Sequence, residues 1–175
     1  VKVWLSTEIM NVPHVLMTAL KVLRGRMARD TAVRPISMRI RIGQPWQEAV
    51  TVLLTNRLGL DKIFQKENII LDQCTYKLSE EVELSRSYPG LKTVYRIHEV
   101  TCRILATHPA LGLPEGTDFS FTRVKVAKDS GIEDTVTTHF QWMPVSDVMA
   151  KRDTCQKDIV DYMVDKKEDQ TGPDA

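Results

Sequence analysis

Apolar residues near the start of the chain fall into two patterns. A strict alternation over Val1–Ser6 predicts a short strand. Asn11 then precedes Pro13, which is a start signal for a helix, and apolar residues follow at helical spacing as far as Met27. This second pattern predicts a helix from Pro13 to about Arg29.

The next segment alternates apolar and basic residues. Met38, Ile40 and Ile42 are separated by Arg39 and Arg41, which predicts a half-buried strand with a basic outer face. We therefore consider Arg39 and Arg41 candidate contacts for an anionic ligand or partner.

A second helix is predicted between two residues with distinct backbone preferences. Pro45 can occupy its first turn, and Gly59 fits the left-handed residue just past its end. Apolar residues between them recur at helical spacing, which predicts a helix packed against a core. This wide apolar stripe consists of Trp46, Ala49, Val50, Leu53, Leu54 and Leu58.

Strands dominate the rest of the chain. Residues 165–175 are charged and hold nothing apolar to bury, so we predict a disordered tail or linker there. Because strands outnumber helices, residues 1–164 are expected to form one domain of the α/β (α+β) class, a mixed sheet flanked by helices. The predicted strands are Asn68–Lys77, Thr93–Leu105, Phe119–Val126 and Val136–Met143. A short turn or helix is predicted at Val145–Ala150 and a last helix at Gln156–Val164.

Composition limits the classes of protein to which the chain can belong. Its 175 residues are 42% hydrophobic and 27% charged, which is typical of a globular domain with a substantial core. The formal net charge of +1 gives no long-range field toward nucleic acid or lipid, so any electrostatic preference must come from local patches. No apolar run is long enough to cross a bilayer, and no membrane partner is expected.

Cysteine usage is typical of a reducing compartment. Cys74, Cys102 and Cys155 form an odd, widely spaced set without a CxxC pair, which argues against a disulfide framework and a structural zinc. We interpret them as small hydrophobic residues of a cytoplasmic, intracellular protein. Because the first residue is Val1 rather than Met, we also expect the domain to come from a longer polypeptide.

The segment Gly43–Leu60 resembles the Nudix box, the loop–helix–loop signature of Nudix hydrolases. Gly43-Gln44 matches the opening Gly-Glu pair of the family, Ala49 its small residue, and Gly59-Leu60 its closing pair. The resemblance implies a Nudix-like sandwich of mixed sheet and helices. The predicted helix Pro13–Arg29 departs from it, since the family has the first hairpin of its sheet there.

The acidic residues of the box are missing. In the family, carboxylates at one-turn spacing hold divalent cations, usually magnesium, against a diphosphate. Gln44 stands here for the first Glu, Val52-Leu53 for the Arg-Glu pair, and Asn56-Arg57 for the Glu-Glu pair, which leaves Glu48 as the only carboxylate of the helix. At 4 Å and an effective dielectric of 20, Arg57 repels each unit of positive charge by about 4 kcal/mol. The resemblance therefore implies a pseudoenzyme without catalytic residues, metal or cofactor.

An alternative keeps the hydrolase active with metal ligands in other loops. Glu80, Glu81 and Glu83 cluster ahead of a turn and are the candidates for such ligands. A solvated acidic strip on a strand edge is the commoner role of such a run.

A basic stretch provides a third hypothesis. It contains a single acid, Asp30, and its guanidinium groups match the geometry of phosphate oxygens, which favours RNA or phosphate binding. The alternatives are a solvated helix end beside a strand and a face for an acidic protein partner, since aromatic residues that would stack bases are absent. The stretch comprises Lys21, Arg24, Arg26, Arg29, Arg34, Arg39 and Arg41.

Two aromatic residues outside the helix complete the set of candidates. Tyr88 precedes the rigid turn Pro89-Gly90 and is either an interface anchor or a cover for the sheet. Trp142, at the end of a predicted strand, resembles the late tryptophan of the Nudix family. We therefore expect a non-catalytic Nudix-like module that binds a protein partner, other domains of its parent chain or a phosphate-containing ligand. The candidate binding residues are Arg39, Arg41, Trp46, Arg57, Tyr88 and Trp142.

Overall fold

The structure is a computed structural model that describes residues 1–27, 33–85, 88–126 and 133–150. These residues form a mixed sheet of eight strands with helices against it, which confirms the predicted α+β class. The strands are β1 (Lys2–Ile9), β2 (Val12–Leu23), β3 (Arg26–Met27), β4 (Arg34–Ser37), β5 (Ile69–Leu84), β6 (Lys92–Ile104), β7 (Phe119–Val126) and β8 (Glu133–Pro144). The helices are α1 (Trp46–Leu58) and α2 (Lys62–Asn68), with a 3-10 turn at Pro109–Leu111.

The sheet has the strand order β5-β6-β1-β4-β2-β8-β7, and β3 pairs with β2. Strands β1 and β6 are parallel, whereas the other pairs are antiparallel. Near their shared turn β1 and β2 pair directly, with Ser6 opposite Val15. Further along they separate, and the short strand β4 lies between them. The centre of the sheet is therefore built from residues near the start of the chain.

The predicted helix Pro13–Arg29 is wrong, because this segment contains β2 and β3. Met10 and Asn11 both have positive φ, 51° and 61°, as in the tight turn that joins two hairpin strands. Asn11 is thus a turn residue and not a helix start. A second pair with positive φ, Arg24 and Gly25, leads from β2 to β3.

The sequence of β2 resembles that of a helix because both faces of this strand are covered by apolar residues. Leu16 packs in the main core, whereas Val15 and Met17 pack in a second cluster on the other face. A strand buried on both sides reads as a continuous apolar run without alternation. A register shift between Thr18 and Leu20 then changes which residues face the core, which disrupts the two-residue period further.

The strand predicted over residues 38–42 is displaced toward the start of the chain. Strand β4 ends at Ser37, and its pairing continues only to Met38, whose N–H donates to the carbonyl of Val1 at 3.0 Å. Met38 and Ile40 are half-buried against the core, but Ile42 is 107% exposed. Pro35 lies inside β4, and a proline is a strand-breaking signal in the sequence, which explains the misplaced boundary.

Helix α1 begins and ends as predicted. Pro45 directly precedes it, and Gly59 closes it with φ 71°, donating its N–H to the carbonyls near the end of the helix. Ala49, Val50, Leu53, Leu54 and Leu58 are buried in the main core, as the apolar stripe predicted. This core lies between α1 and one face of the sheet.

The opposite face of the sheet carries the smaller apolar cluster. Residues 145–150, predicted as a short turn or helix, are helical, and Val148 packs there against Val15, Met17 and Met143. Helices thus cover both faces of the sheet. None of the helices in the described ranges is long and apolar enough to cross a membrane. The predicted helix Gln156–Val164, the tail 165–175 and Cys155 lie outside the described residues.

The remaining predicted strands have bounds within three residues of those observed, apart from β5. Strand β5 begins at Ile69 and extends to Leu84, well beyond the predicted end. Helix α2 was not predicted, although Asp61 caps it by accepting a hydrogen bond from the N–H of Phe64 at 2.8 Å. Cys102 is buried as expected, but Cys74 is exposed on β5 and is not a core residue.

Candidate functional site

The positions of α1 that correspond to the acids of a Nudix box have three different environments. Leu53 is completely buried in the main core. Asn56 is exposed, and Arg57 is half-buried in the last turn of the helix. An acid introduced at Leu53 would therefore point into the core and not into a solvent-accessible site.

Gln44, at the position of the first acid, has a structural hydrogen-bonding role. Its Oε1 accepts the backbone N–H of Arg41 at 3.3 Å, and its Nε2 donates to Oε1 of Glu48 at 3.3 Å. The amide therefore joins the loop before α1 to the carboxylate on the first turn of the helix. Glu48 accepts this bond at the exposed surface.

Arg57 lacks a partner for part of its guanidinium group. Its Nε is buried, and no acceptor of the described residues is within hydrogen-bond distance. Burial lowers the pKa of Arg57, and repulsion from Arg123 and Arg34 lowers it further. An unsatisfied buried donor costs about 1–3 kcal/mol, and more when it is charged. The attraction of a cation to the C-terminus of a helix, about 0.3–1 kcal/mol, is too small to compensate.

Arg123 on β7 repeats this arrangement from the opposite side. It is half-buried, its Nε is also buried without a partner, and burial lowers its pKa. Phe121 precedes it on the same face of β7 and lies so close to the end of α1 that a Cβ on Gly59 would be 2.7 Å from its Cε2. Strand β7 thus brings Arg123 to the last turn of α1.

Arg34 joins the other two through the sheet register. It lies opposite Thr18, which lies opposite Phe140, and Phe140 faces α1 in the main core. Directly paired residues point to the same face of a sheet, so Arg34 shares the α1-facing side with Arg123. We refer to Arg34, Arg57 and Arg123 as the arginine cluster.

Among the described residues, neither Arg57 nor Arg123 forms an ion pair. Ion pairs are observed elsewhere, between Arg24 and Asp134 and between Arg96 and Glu80. Each of these two arginines thus has a buried, unpartnered Nε, and β7 contacts the end of α1 through Phe121 and Gly59. Such an arrangement repels a cation and attracts an anion.

The other sequence candidates do not join this cluster. Arg39 and Arg41 are exposed in the segment between β4 and α1. Trp46, at the opposite end of α1 and about 16 Å from Arg57 by the rise of a helix, stacks on Tyr76 with ring centroids 4.5 Å apart.

The two remaining aromatic candidates have contrasting exposure. Tyr88 is 67% exposed in the turn between β5 and β6, where its N–H donates to Oγ of Ser85 at 3.2 Å. Trp142 is buried, and its indole N–H donates to the carbonyl of Leu111 at 2.8 Å. This is the environment of a core residue, whereas Tyr88 is accessible to a partner.

The acidic residues proposed as relocated metal ligands lie on an edge strand. Glu80, Glu81 and Glu83 are exposed on β5, and Oε1 of Glu80 accepts Nε of Arg96 at 2.8 Å. Neighbouring residues of a strand point to opposite faces, so Glu80 and Glu81 diverge. Throughout the described ranges, no group of three or more His, Cys, Asp or Glu side chains is arranged to hold a metal ion.

A cavity of about 260 Å³ lies between α1, α2, β5 and β6. Lys62 and Lys66 contribute to its lining, and Cys102 forms part of its wall. Burial raises the pKa of the Cys102 thiol to about 12, so this group is not a nucleophile at neutral pH. The cavity has no polar side chain set that suggests a reaction.

Arg123 was not singled out from the sequence. The available signal is its position on a strand in which Phe119 and Phe121 precede it at two-residue spacing. A cation that continues an inward-facing apolar series is buried more than its neighbours. Recognising the cluster would still have required the approach of β7 to α1, which the sequence does not show.

Comparison of the chain with models of protein families, with curated proteins and with solved structures finds no match. The geometry of α1 and of the arginine cluster is therefore the basis for assigning a function.

Proposed function

We propose that this chain is a non-catalytic, Nudix-like module that acts by binding. One observation carries the proposal: along α1, the positions at which a Nudix box has metal-binding acids hold a core leucine, Leu53, and a buried cation, Arg57. The segment that resembles the box contains the helix α1, and Gly59 at its closing position has the left-handed conformation.

The environment of Arg57 opposes a magnesium site. Hard divalent cations require several oxygen ligands, and α1 offers only the exposed carboxylate of Glu48, which already accepts a hydrogen bond from Gln44. Arg57 and Arg123 add positive charge where the cation would bind. We infer that the frame of the box is retained for its packing and for the recognition of a protein partner or an anionic ligand.

Enzyme assays test this proposal directly. The purified chain is incubated with nucleoside diphosphate-linked compounds and Mg²⁺ or Mn²⁺, and released phosphate and nucleotide are quantified by chromatography. We expect no product above the buffer control, and isothermal titration with Mg²⁺ is expected to show no saturable heat.

Metal-dependent turnover would refute the non-catalytic role. If that turnover were lost on Glu80→Gln, Glu81→Gln or Glu83→Gln, it would establish the alternative, a Nudix-type hydrolase with relocated ligands. The variant Glu48→Gln serves as a control, because it removes the only carboxylate of α1.

A further inference from the structure

We propose that the arginine cluster is a binding site for a small phosphate-type oxyanion. Nε of Arg57 on α1 and Nε of Arg123 on β7 are both buried without a partner among the described residues, and β7 contacts the end of α1 through Phe121 and Gly59. Arg34 lies on the same side of the sheet and adds positive charge near Arg57, whereas the unpartnered donors are those of Arg57 and Arg123. An oxyanion bound beside Arg57 and Arg123 would balance their charge, and would accept from each Nε after a side-chain movement that exposes it.

The chemistry of guanidinium groups favours phosphate among small anions. Arginine presents planar, paired N–H donors that match two oxygens of a phosphate, and its charge persists at all physiological pH values. A phosphate dianion has enough oxygens to be shared by guanidinium groups from two directions, whereas one carboxylate has two. Chloride accepts no directional pair of hydrogen bonds and is expected to bind weakly.

The surroundings of the cluster favour a small ligand over a nucleic acid strand. Binding of single strands generally needs aromatic rings on which bases stack. The aromatic residues beside Arg123 are already engaged, since Phe119 stacks on Phe140 at 5.2 Å and Phe121 packs against Gly59. The donors are also recessed, since each Nε is fully buried.

This inference rests on the binding role proposed above and specifies its ligand. The two remain separable, because the chain can lack turnover whether or not the cluster binds phosphate. Conversely, metal-dependent turnover would remove the non-catalytic role, while phosphate binding that depends on Arg57 and Arg123 would still support the anion site.

Phosphate binding is measured by ³¹P line broadening and by the increase in melting temperature on adding inorganic phosphate, with NaCl at matched ionic strength as the reference. The variants are Arg57→Gln and Arg123→Gln, and the control is Arg103→Gln, which changes an exposed arginine of β6 outside the cluster. We expect each cluster variant to weaken binding by roughly ten-fold or more, since a charge-assisted hydrogen bond is lost. The control is expected to bind like the parent chain.

Two sources of phosphate are compared in parallel, inorganic phosphate and the monoester adenosine monophosphate. Tighter binding of the monoester, lost in Arg57→Gln, supports a phosphorylated metabolite as the natural ligand, whereas equal binding supports free phosphate. Circular dichroism of each variant confirms that it is folded, and Arg57→Lys, which keeps the charge but loses the fork, is expected to bind with intermediate affinity.

The proposal is overturned if phosphate stabilises the chain no more than chloride does. It is also overturned if Arg57→Gln and Arg123→Gln bind phosphate as tightly as the parent. Binding of single-stranded RNA that is lost in Arg39→Ala with Arg41→Ala, and is insensitive to Arg57→Gln, would instead place the anion site on the exposed basic segment.

Discussion

The polar groups at the two ends of α1 differ in whether they have hydrogen-bond partners within the chain. At the first turn, Trp46 stacks on Tyr76, whose hydroxyl is hydrogen-bonded to Nδ1 of His98 at 3.0 Å. At the last turn, Arg57 and the neighbouring Arg123 keep buried Nε groups without an acceptor. The first arrangement is complete within the chain and stabilises it. The second is incomplete, which is why we assign ligand binding to that end.

The middle of the helix holds both ends in place, and its loss is expected to have the largest effect. Leu53→Ala removes a completely buried side chain and is expected to lower the free energy of unfolding by about 2–5 kcal/mol. Urea denaturation measures this, with the half-buried Val52→Ala as the milder control. If Leu53→Ala lowers the free energy of unfolding by less than Val52→Ala does, α1 is not anchored through Leu53. The contrast drawn between the two ends of α1 would then lose its basis.

Two glycines with similar φ angles show how closely β7 packs against the C-terminal end of α1, where the arginine cluster lies. Gly43 and Gly59 have φ of 79° and 71°, but a Cβ on Gly43 would meet no atom within 4 Å, whereas one on Gly59 would meet Phe121. Gly43→Ala is expected to cost about 1–2 kcal/mol from its backbone alone. Gly59→Ala is expected to cost more than Gly43→Ala, since the ring must also move. Equal melting temperatures would mean that β7 is not in close contact with α1.

Replacing Arg57, whose Nε has no acceptor among the described residues, tests whether this side chain lowers the stability of the chain in the absence of a ligand. Arg57→Met keeps a long side chain but removes a half-buried charge beside Arg123, and we expect it to raise the free energy of unfolding by about 1 kcal/mol in phosphate-free buffer. The exposed Arg39→Met is expected to change stability little. A marked destabilisation by Arg57→Met in chemical denaturation would mean that the guanidinium is satisfied within the chain.

The smallest expected effect is a pH dependence of stability that arises from His98, near the first turn of α1. Burial, followed by repulsion from positive groups that include Arg96, lowers the pKa of His98 below its usual value near 6.5. The unfolded chain therefore binds this proton more readily than the folded chain. Stability is complete above about pH 6.5 and declines as the pH falls through the lower, folded-state value.

Melting temperatures of the parent chain and of His98→Gln across this pH interval test the assignment. The variant is expected to lose this part of the pH dependence, whereas His139→Gln, at an exposed position, is expected to retain it. A parent chain that becomes more stable on acidification would contradict the satisfied role of His98.

Local signals were sufficient to predict α1 but not its surroundings. Pro45, Gly59 and a helical apolar stripe all act within one segment, so the helix could be read from the sequence. In β2, burial on both faces and the shift after Thr18 depend on strands far along the chain. The apolar spacing there was consequently mistaken for a helix.

The candidate site was only partly predictable for the same reason. Arg57 could be singled out because the resemblance of Gly43–Leu60 to a Nudix box aligns it with an acid of that family. Arg123 lies on a strand whose approach to α1 depends on pairing with β8, so its proximity to Arg57 appears only in the fold. The prediction of a Nudix-like module remains a proposal that the enzyme and phosphate assays address.

The parallel pairing of β1 with β6 has a consequence for biosynthesis. Trp4 donates its indole N–H to Glu99 at 2.5 Å across a separation of 95 residues. At a translation rate of about 5–20 residues per second, the ribosome needs about 5–20 s to make the intervening chain. Throughout this interval one edge of β1 has no native strand to pair with and is open to other nascent chains.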